Sequence, residues 1–164
     1  MAMQIYLAPM EGITGYIVRN AFYHHFGYID KYFTPFIPAA KRMSRKILRD
    51  IAPEYNQGIV LIPQLISNQY CEVLDMIRQL KDHGFTEVNL NLGCPSGTVV
   101  SKKRGSGMLQ DPQELDRFLY GIFEKADIPV SVKTRIGFRD PDAWPRILDV
   151  YRQYPIRELI IHPR

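Results

Sequence analysis

Short apolar runs alternate with longer amphipathic runs along the whole chain. Each apolar run is short enough to be a single strand. We predict strands at residues 4–8, 31–36, 60–66, 87–93, 130–135 and 158–162. Strand, helix and strand repeated with short connections are typical of a parallel α/β fold.

The amphipathic runs between the strands predict helices. One of them opens with Asp111 as a cap, Pro112 at the first helical position and Glu114 as the partner in a capping box. Asn68 is the predicted cap of another. The predicted helices cover residues 14–26, 44–51, 68–83, 111–125 and 140–153.

Charge and cysteine content narrow the class of protein. The net charge of +4 permits a polyanionic partner but does not require one. Cys71 and Cys94 are the only cysteines among the 164 residues, so we expect neither a disulfide framework nor a metal site. A chain of this kind is typical of the reducing cytoplasm. We also expect no membrane span and no secretory signal, because no long apolar run is present.

Polar residues recur near the carboxyl ends of the last four predicted strands. They are Gln64, Asn91, Lys133 and His162. Alternate strand residues point to opposite faces, so Lys133 and Arg135 share a face of the fifth strand. Each polar residue alone could simply mark the junction of a strand and a loop. Together they are typical of the mouth of a TIM barrel, where catalytic groups gather.

Five sequence motifs occur in a fixed order along these strands and carry a family resemblance. They are "LAPMEGIT", "PQLI", "NLNLGCPSGTVVSKKRGSGML", "SVKTRIGF" and "LIIHPR". With them the chain resembles the tRNA-dihydrouridine synthases, which are flavin enzymes built on a TIM barrel. The resemblance covers essentially the whole chain, and the segment around the cysteine is its most specific part.

The resemblance implies an FMN site, with NADPH as the reductant. Lys133 would lie near the N1 and O2 side of the flavin, where a fixed cation stabilises the negative charge of the reduced ring. The other implied flavin contacts are Pro9, Met10 and Glu11 after the first strand, Gln64 in the third, Asn91 in the fourth and His162 in the sixth.

The resemblance also implies that Cys94 is the catalytic proton donor. A hydride would pass from flavin N5 to C6 of a uracil ring, and C5 would then need a proton from a positioned acid. Free thiols are mostly protonated at neutral pH. Gly97, Gly105 and Gly107 predict a mobile loop after the cysteine. Without the motif, a lone cysteine is more often a small buried hydrophobic residue, and we interpret Cys71 in that way.

Two basic runs suit a phosphate-rich substrate. One is "KRMSRKILR" at residues 41–49, and the other places Lys102, Lys103 and Arg104 together after the cysteine. A tRNA would have to bring a flipped base into the site. We predict that the second run, together with Arg135, binds RNA. A solvated charged surface is the alternative explanation for either run.

The resemblance is to part of a longer fold. A TIM barrel has eight strands and about 250 residues, whereas these 164 residues carry the motifs of strands one to six. We expect residues 1–164 to form an incomplete (β/α)8 barrel of about six parallel strands with intervening helices. Strands seven and eight and the C-terminal tRNA-binding helical domain would be absent. Such a fragment should bind FMN weakly or not at all, be inactive alone, and self-associate through its open edge.

Two other functions stay open at this point. A dihydroorotate-dehydrogenase-like flavin enzyme, which acts on a free pyrimidine, also has a catalytic residue near an N-x-x-x-P segment in strand four. The basic run after the cysteine, and the lack of an obvious carboxylate-binding set, argue against it. The second is a truncated barrel without activity, which a colourless purified protein would favour.

Overall fold

The computed structural model describes residues 3–40 and 42–163. Within them the chain forms two compact units, residues 3–37 with 42–64 and residues 38–40 with 65–163. The strands are β1 (Tyr6–Leu7), β2 (Lys31–Phe33), β3 (Ile37–Pro38), β4 (Leu61–Ile62), β5 (Gln64–Ile66), β6 (Val88–Leu92), β7 (Val130–Arg135) and β8 (Leu159–His162). The α-helices are α1 (Tyr16–His25), α2 (Arg45–Ile51), α3 (Tyr70–Asp82), α4 (Gly97–Val100), α5 (Pro112–Phe123) and α6 (Trp144–Tyr151).

Short 3₁₀ turns complete the chain at Pro53–Tyr55, Gly105–Gln110 and Pro141–Ala143. None of the helices in the described ranges is both long enough and apolar enough to cross a membrane.

The first unit contains a parallel sheet of three strands in the order β1-β2-β4. Its central strand is buried, with Tyr32 and Phe33 each 1% exposed. A buried arginine ties the helices of this unit together. Arg19 in α1 donates to the Asp50 carboxylate at 3.0 Å and to the Asn56 carboxamide. A buried cation requires such pairing, so Arg19 has a structural role.

The second unit is organised by a sheet with the strand order β3-β5-β6-β7-β8. The pairs β6–β7 and β7–β8 are parallel. One face of these strands is apolar, and its side chains in β6 and β7 are almost fully buried at Leu90, Leu92, Val130 and Val132. Helix α5 packs against both α3 and α6. The alternation of apolar and polar residues in these strands predicts this apolar face, and its burial is the main contribution to the stability of the unit.

The six predicted strands are confirmed in position, with one division and one addition. The predicted strand at 60–66 is two strands, β4 and β5, separated at Pro63, which has no N–H to donate to a ladder. Gln64 therefore opens β5 instead of lying near the end of a long strand. The two-residue strand β3 was not predicted, since two residues carry no periodicity.

Helix starts are confirmed where a local cap specifies them. The side chain of Asp111 accepts the backbone N–H groups of Gln113 and Glu114, as predicted. Asn68 as the cap of α3 is wrong, because the helix begins after Gln69. The Ser67 hydroxyl accepts the N–H of Gln69 at 3.0 Å and so holds the turn that precedes the helix.

Candidate active site

Four polar side chains share one face of β6, β7 and β8, and we call them the polar face: Asn91, Lys133, Arg135 and His162. The register pairs Asn91 with Lys133 and Arg135 with His162. Partners in a parallel register project to the same side, and Lys133 and Arg135 are two residues apart on one strand. The structure therefore brings together three of the predicted flavin contacts, Asn91, Lys133 and His162. Arg135, which was predicted to bind RNA, lies on the same face.

The polar face is electropositive. Burial and the charge of Arg135 lower the pKa of Lys133, which is half-buried. Desolvation, followed by the charges of Lys133 and Arg135, lowers the pKa of His162. Within the described ranges, neither Lys133 nor Arg135 forms an ion pair with a carboxylate. Such a face favours an anionic or electron-rich ligand.

Cys94 lies two residues beyond the end of β6, and its backbone is tied to the polar face. The Asn91 Oδ1 atom accepts the N–H of Cys94 at 2.9 Å and that of Gly93 at 3.2 Å. The Nε atom of Arg135 donates to the Gly93 carbonyl at 2.8 Å. The thiol-bearing residue is partly exposed, as a group that meets a substrate must be. Cys71 is exposed near the start of α3, so its interpretation as a buried residue is wrong.

The segment after Cys94 is folded back onto it. Helix α4 and the 3₁₀ turn Gly105–Gln110 occupy this segment, and Gly105, Ser106 and Gly107 are buried. Gly105 adopts a φ of +55°, and a Cβ atom there would lie 2.6 Å from the Cys94 carbonyl oxygen. Gly105 and Gly107 thus permit this segment to pack closely against neighbouring backbone. Mobility of this segment stays a prediction.

In the basic run after α4, Lys102 and Lys103 are exposed, whereas Arg104 is partly buried, and two of the three residues form ion pairs. Lys103 lies 3.5 Å from the Glu114 carboxylate, and Arg104 lies 3.7 Å from that of Glu72. Lys102 is exposed and has no ion pair among the residues that the structure describes. Arg135 lies on the polar face instead of with this run. Lys41 of the other basic run lies outside the described residues.

The remaining predicted flavin contacts belong to the first unit. Pro9, Met10 and Glu11 follow β1 in a turn that the Thr14 hydroxyl closes by accepting the Met10 N–H at 2.8 Å. Met10 and Glu11 are exposed, whereas Gln64 is fully buried. The backbone N–H of Gln64 donates to the Thr34 hydroxyl. Their roles at a cofactor stay predictions.

Comparison with known proteins decides the family. The sequence model for dihydrouridine synthase (Dus) matches residues 6–164. The chain belongs to the dihydrouridine synthase family. It is 30% identical to the tRNA-dihydrouridine(16) synthase of Shigella flexneri over 99% of this chain and 54% of that protein. It is 29% identical to the protein of that name from Escherichia coli K12, with the same coverage.

A further relative has a less specific name. The probable tRNA-dihydrouridine synthase of Staphylococcus epidermidis is 28% identical over 96% of this chain and 49% of that protein. The chain thus spans about half the length of the curated relatives it matches. Its α/β fold, with parallel strands and alternating helices, is consistent with part of the TIM barrel of this family.

The polar face fits the flavin that the family resemblance implies. Its donor set combines two cations, an imidazole and a carboxamide, and reduced flavin is negatively charged near N1. No cluster of three or more His, Cys, Asp or Glu residues suited to a metal ion occurs in the described ranges. Sequence reasoning missed Ser106, which contacts Cys94. The signal was present, because Ser106 lies between two glycines in "GSG".

Proposed function

We propose that this protein reduces uridine to 5,6-dihydrouridine in tRNA, as an FMN- and NADPH-dependent oxidoreductase. Membership of the dihydrouridine synthase family supports the reaction class. The observation that carries the proposal is the connection between Cys94 and the electropositive polar face, through Asn91 and Arg135. Because the chain spans about half of its relatives, the activity, the substrate and a cytoplasmic location are proposed for the whole protein.

The polar face would bind the cofactor ring. The chemistry that FMN supplies when bound is hydride transfer to C6 of the uracil ring, with NADPH as the source of electrons. Lys133 and Arg135 would supply positive charge to the electron-rich part of the ring. Desolvation and the charges of Lys133 and Arg135 lower the pKa of His162, which favours the neutral imidazole, a group that can donate or accept a hydrogen bond.

Cys94 would supply the proton. Reduction of the C5=C6 bond adds a hydride at C6 and a proton at C5, and the thiol S–H of Cys94 gives that proton to C5. A positioned acid of this kind accelerates a reaction by about 10²–10⁴-fold. The hydrogen bonds from the Gly93 and Cys94 N–H groups to Asn91 hold the donor in one backbone conformation.

The tRNA would contact the basic run beside the cysteine segment. Lys102 is its unpaired member among the described residues, while Lys103 and Arg104 would have to exchange a carboxylate for a phosphate. Uridine 16 is the first position to test, because relatives named for that position match 99% of the chain. We also propose that residues 1–164 alone bind FMN weakly and self-associate.

Rapid mixing of the full-length protein tests the proposal. In Cys94→Ala, NADPH should reduce the bound flavin at the normal rate, whereas reoxidation by tRNA should slow by about 10²–10⁴-fold. Cys71→Ala is the matched control, since this cysteine is exposed on α3, and both steps should be normal. Normal reoxidation in Cys94→Ala would contradict the proton-donor role. A wild-type protein that reduces no uridine in tRNA would contradict the proposed activity.

A further inference from the structure

Every backbone hydrogen-bonding group of the Gly93–Cys94 dipeptide is paired. The two N–H groups donate to the Asn91 side chain. The Gly93 carbonyl accepts from the Arg135 side chain. The Cys94 carbonyl accepts from Ser106, twelve residues further along the chain. A turn with all four groups paired is held in one conformation, because each alternative conformation would break hydrogen bonds.

Ser106 holds the Cys94 carbonyl with two donors. Its hydroxyl and its backbone N–H each lie 3.0 Å from the Cys94 carbonyl oxygen. Ser106 is fully buried, so water does not compete for these bonds. Gly105 brings the segment this close, since any Cβ atom at that position would clash with the same carbonyl. The contact is therefore built by the fold of the whole segment.

We propose that Ser106 is a positioning residue for Cys94, which it holds through the Cys94 carbonyl. The carbonyl and the Cβ atom are attached to the same Cα atom, so a fixed carbonyl limits the directions in which the thiol can point. Proton transfer depends steeply on the placement of the donor. The effect of Ser106 on catalysis rests on the proposed function of Cys94. The effect of Ser106 on the exposure of the Cys94 thiol does not depend on that function.

Alkylation of the thiol tests the positioning directly. In the full-length protein, Ser106→Ala removes the hydroxyl but keeps the N–H donor. The loosened turn should expose Cys94 and raise its alkylation rate with iodoacetamide by about 3–10-fold, the factor for loss of one hydrogen bond. Peptide mass spectrometry separates Cys94 from Cys71, whose rate should not change because it lies exposed on α3.

Ser131→Ala is the matched control. Ser131 is equally buried, and its hydroxyl donates to the backbone carbonyl of Val88 on the neighbouring strand. It should lower the melting temperature at least as much as Ser106→Ala, while Cys94 alkylation stays at the wild-type rate. Equal Cys94 alkylation in wild type and Ser106→Ala would overturn the proposal. So would parallel increases at Cys94 and Cys71, which would mark a general loss of stability.

The two half-reactions provide the second readout. In Ser106→Ala, reoxidation of the reduced flavin by tRNA should slow by about 10-fold, with flavin reduction by NADPH unchanged. Equal slowing of both steps would assign Ser106 a purely structural role and overturn the proposal. If the wild-type protein fails to use tRNA, the proposed function is wrong, and the alkylation comparison still decides whether Ser106 positions Cys94.

Discussion

The side chain of Asn91 accepts a hydrogen bond from the backbone N–H of Cys94, with 2.9 Å between Oδ1 and N. Asn91 also lies directly opposite Lys133 in the register of β6 and β7. One residue thus joins the cysteine turn to the polar face. A substitution at Asn91 in β6 should therefore change the position and exposure of the Cys94 thiol.

Asn91→Ala should destabilise the protein and expose Cys94. The substitution removes the acceptor of two backbone N–H groups, each hydrogen bond being worth about 1 kcal/mol. We expect the free energy of unfolding in urea to fall by about 1–3 kcal/mol, with faster alkylation of Cys94. Asn91→Asp keeps an acceptor oxygen beside Lys133 and should restore slow alkylation. Equally slow alkylation in Asn91→Ala would show that the turn holds without this side chain.

His162 should titrate below the ordinary histidine range, which NMR can measure in the 164-residue chain. Desolvation and the charges of Lys133 and Arg135 lower its pKa. Lys133→Met should therefore move the His162 pKa upward. Lys102→Met removes an equal charge from a residue that does not act on His162, and it should leave that pKa unchanged. An unaltered pKa in Lys133→Met would show that these two side chains do not interact.

The same shift makes stability depend on pH in a defined direction. A histidine whose pKa is lower in the folded state binds fewer protons there than in the unfolded chain. His162 therefore does not destabilise the folded state above the unfolded pKa of about 6.5. Its destabilising contribution grows as the pH falls below that value and is complete below the lower folded pKa. Between pH 8 and pH 5, the free energy of unfolding should therefore fall less in Lys133→Met than in the wild type, because His162 is shifted less in the variant. The comparison requires only urea unfolding at pH 5 and pH 8.

Lys102 should contribute more to tRNA binding than either of its basic neighbours. Lys103 and Arg104 are already paired with Glu114 and Glu72. They therefore gain less free energy from a phosphate contact, because an ion pair must be broken first. In the full-length protein, Lys102→Ala should raise the KM for tRNA and reduce the salt dependence of binding by about one unit of slope. Lys125→Ala, in a different segment, is the charge-matched control. An unchanged salt dependence in the triple variant of Lys102, Lys103 and Arg104 would move RNA binding elsewhere.

Much of the polar face follows from strand parity. The alternation in β6 and β7 separates Asn91, Lys133 and Arg135 from the apolar side chains of the same strands, and the structure confirms that separation. Parity says nothing about which residues of two strands lie opposite each other. The pairing of Arg135 with His162 therefore came only from the register of β7 and β8. RNA binding by Arg135 stays a prediction.

Features that depend on a few neighbouring residues could be read from the sequence alone: the strand and helix order, the Asp111 cap, and the cysteine motif by which the chain resembles its family. The groups that contact Cys94 are set by the packing of distant segments. Ser106 reaches it because α4 and the following 3₁₀ turn fold back, and Arg135 reaches Gly93 because β6 and β7 are neighbours. Such contacts join residues that are far apart in the chain. They depend on how whole helices and strands pack, and the local periodicity of a sequence does not specify that packing.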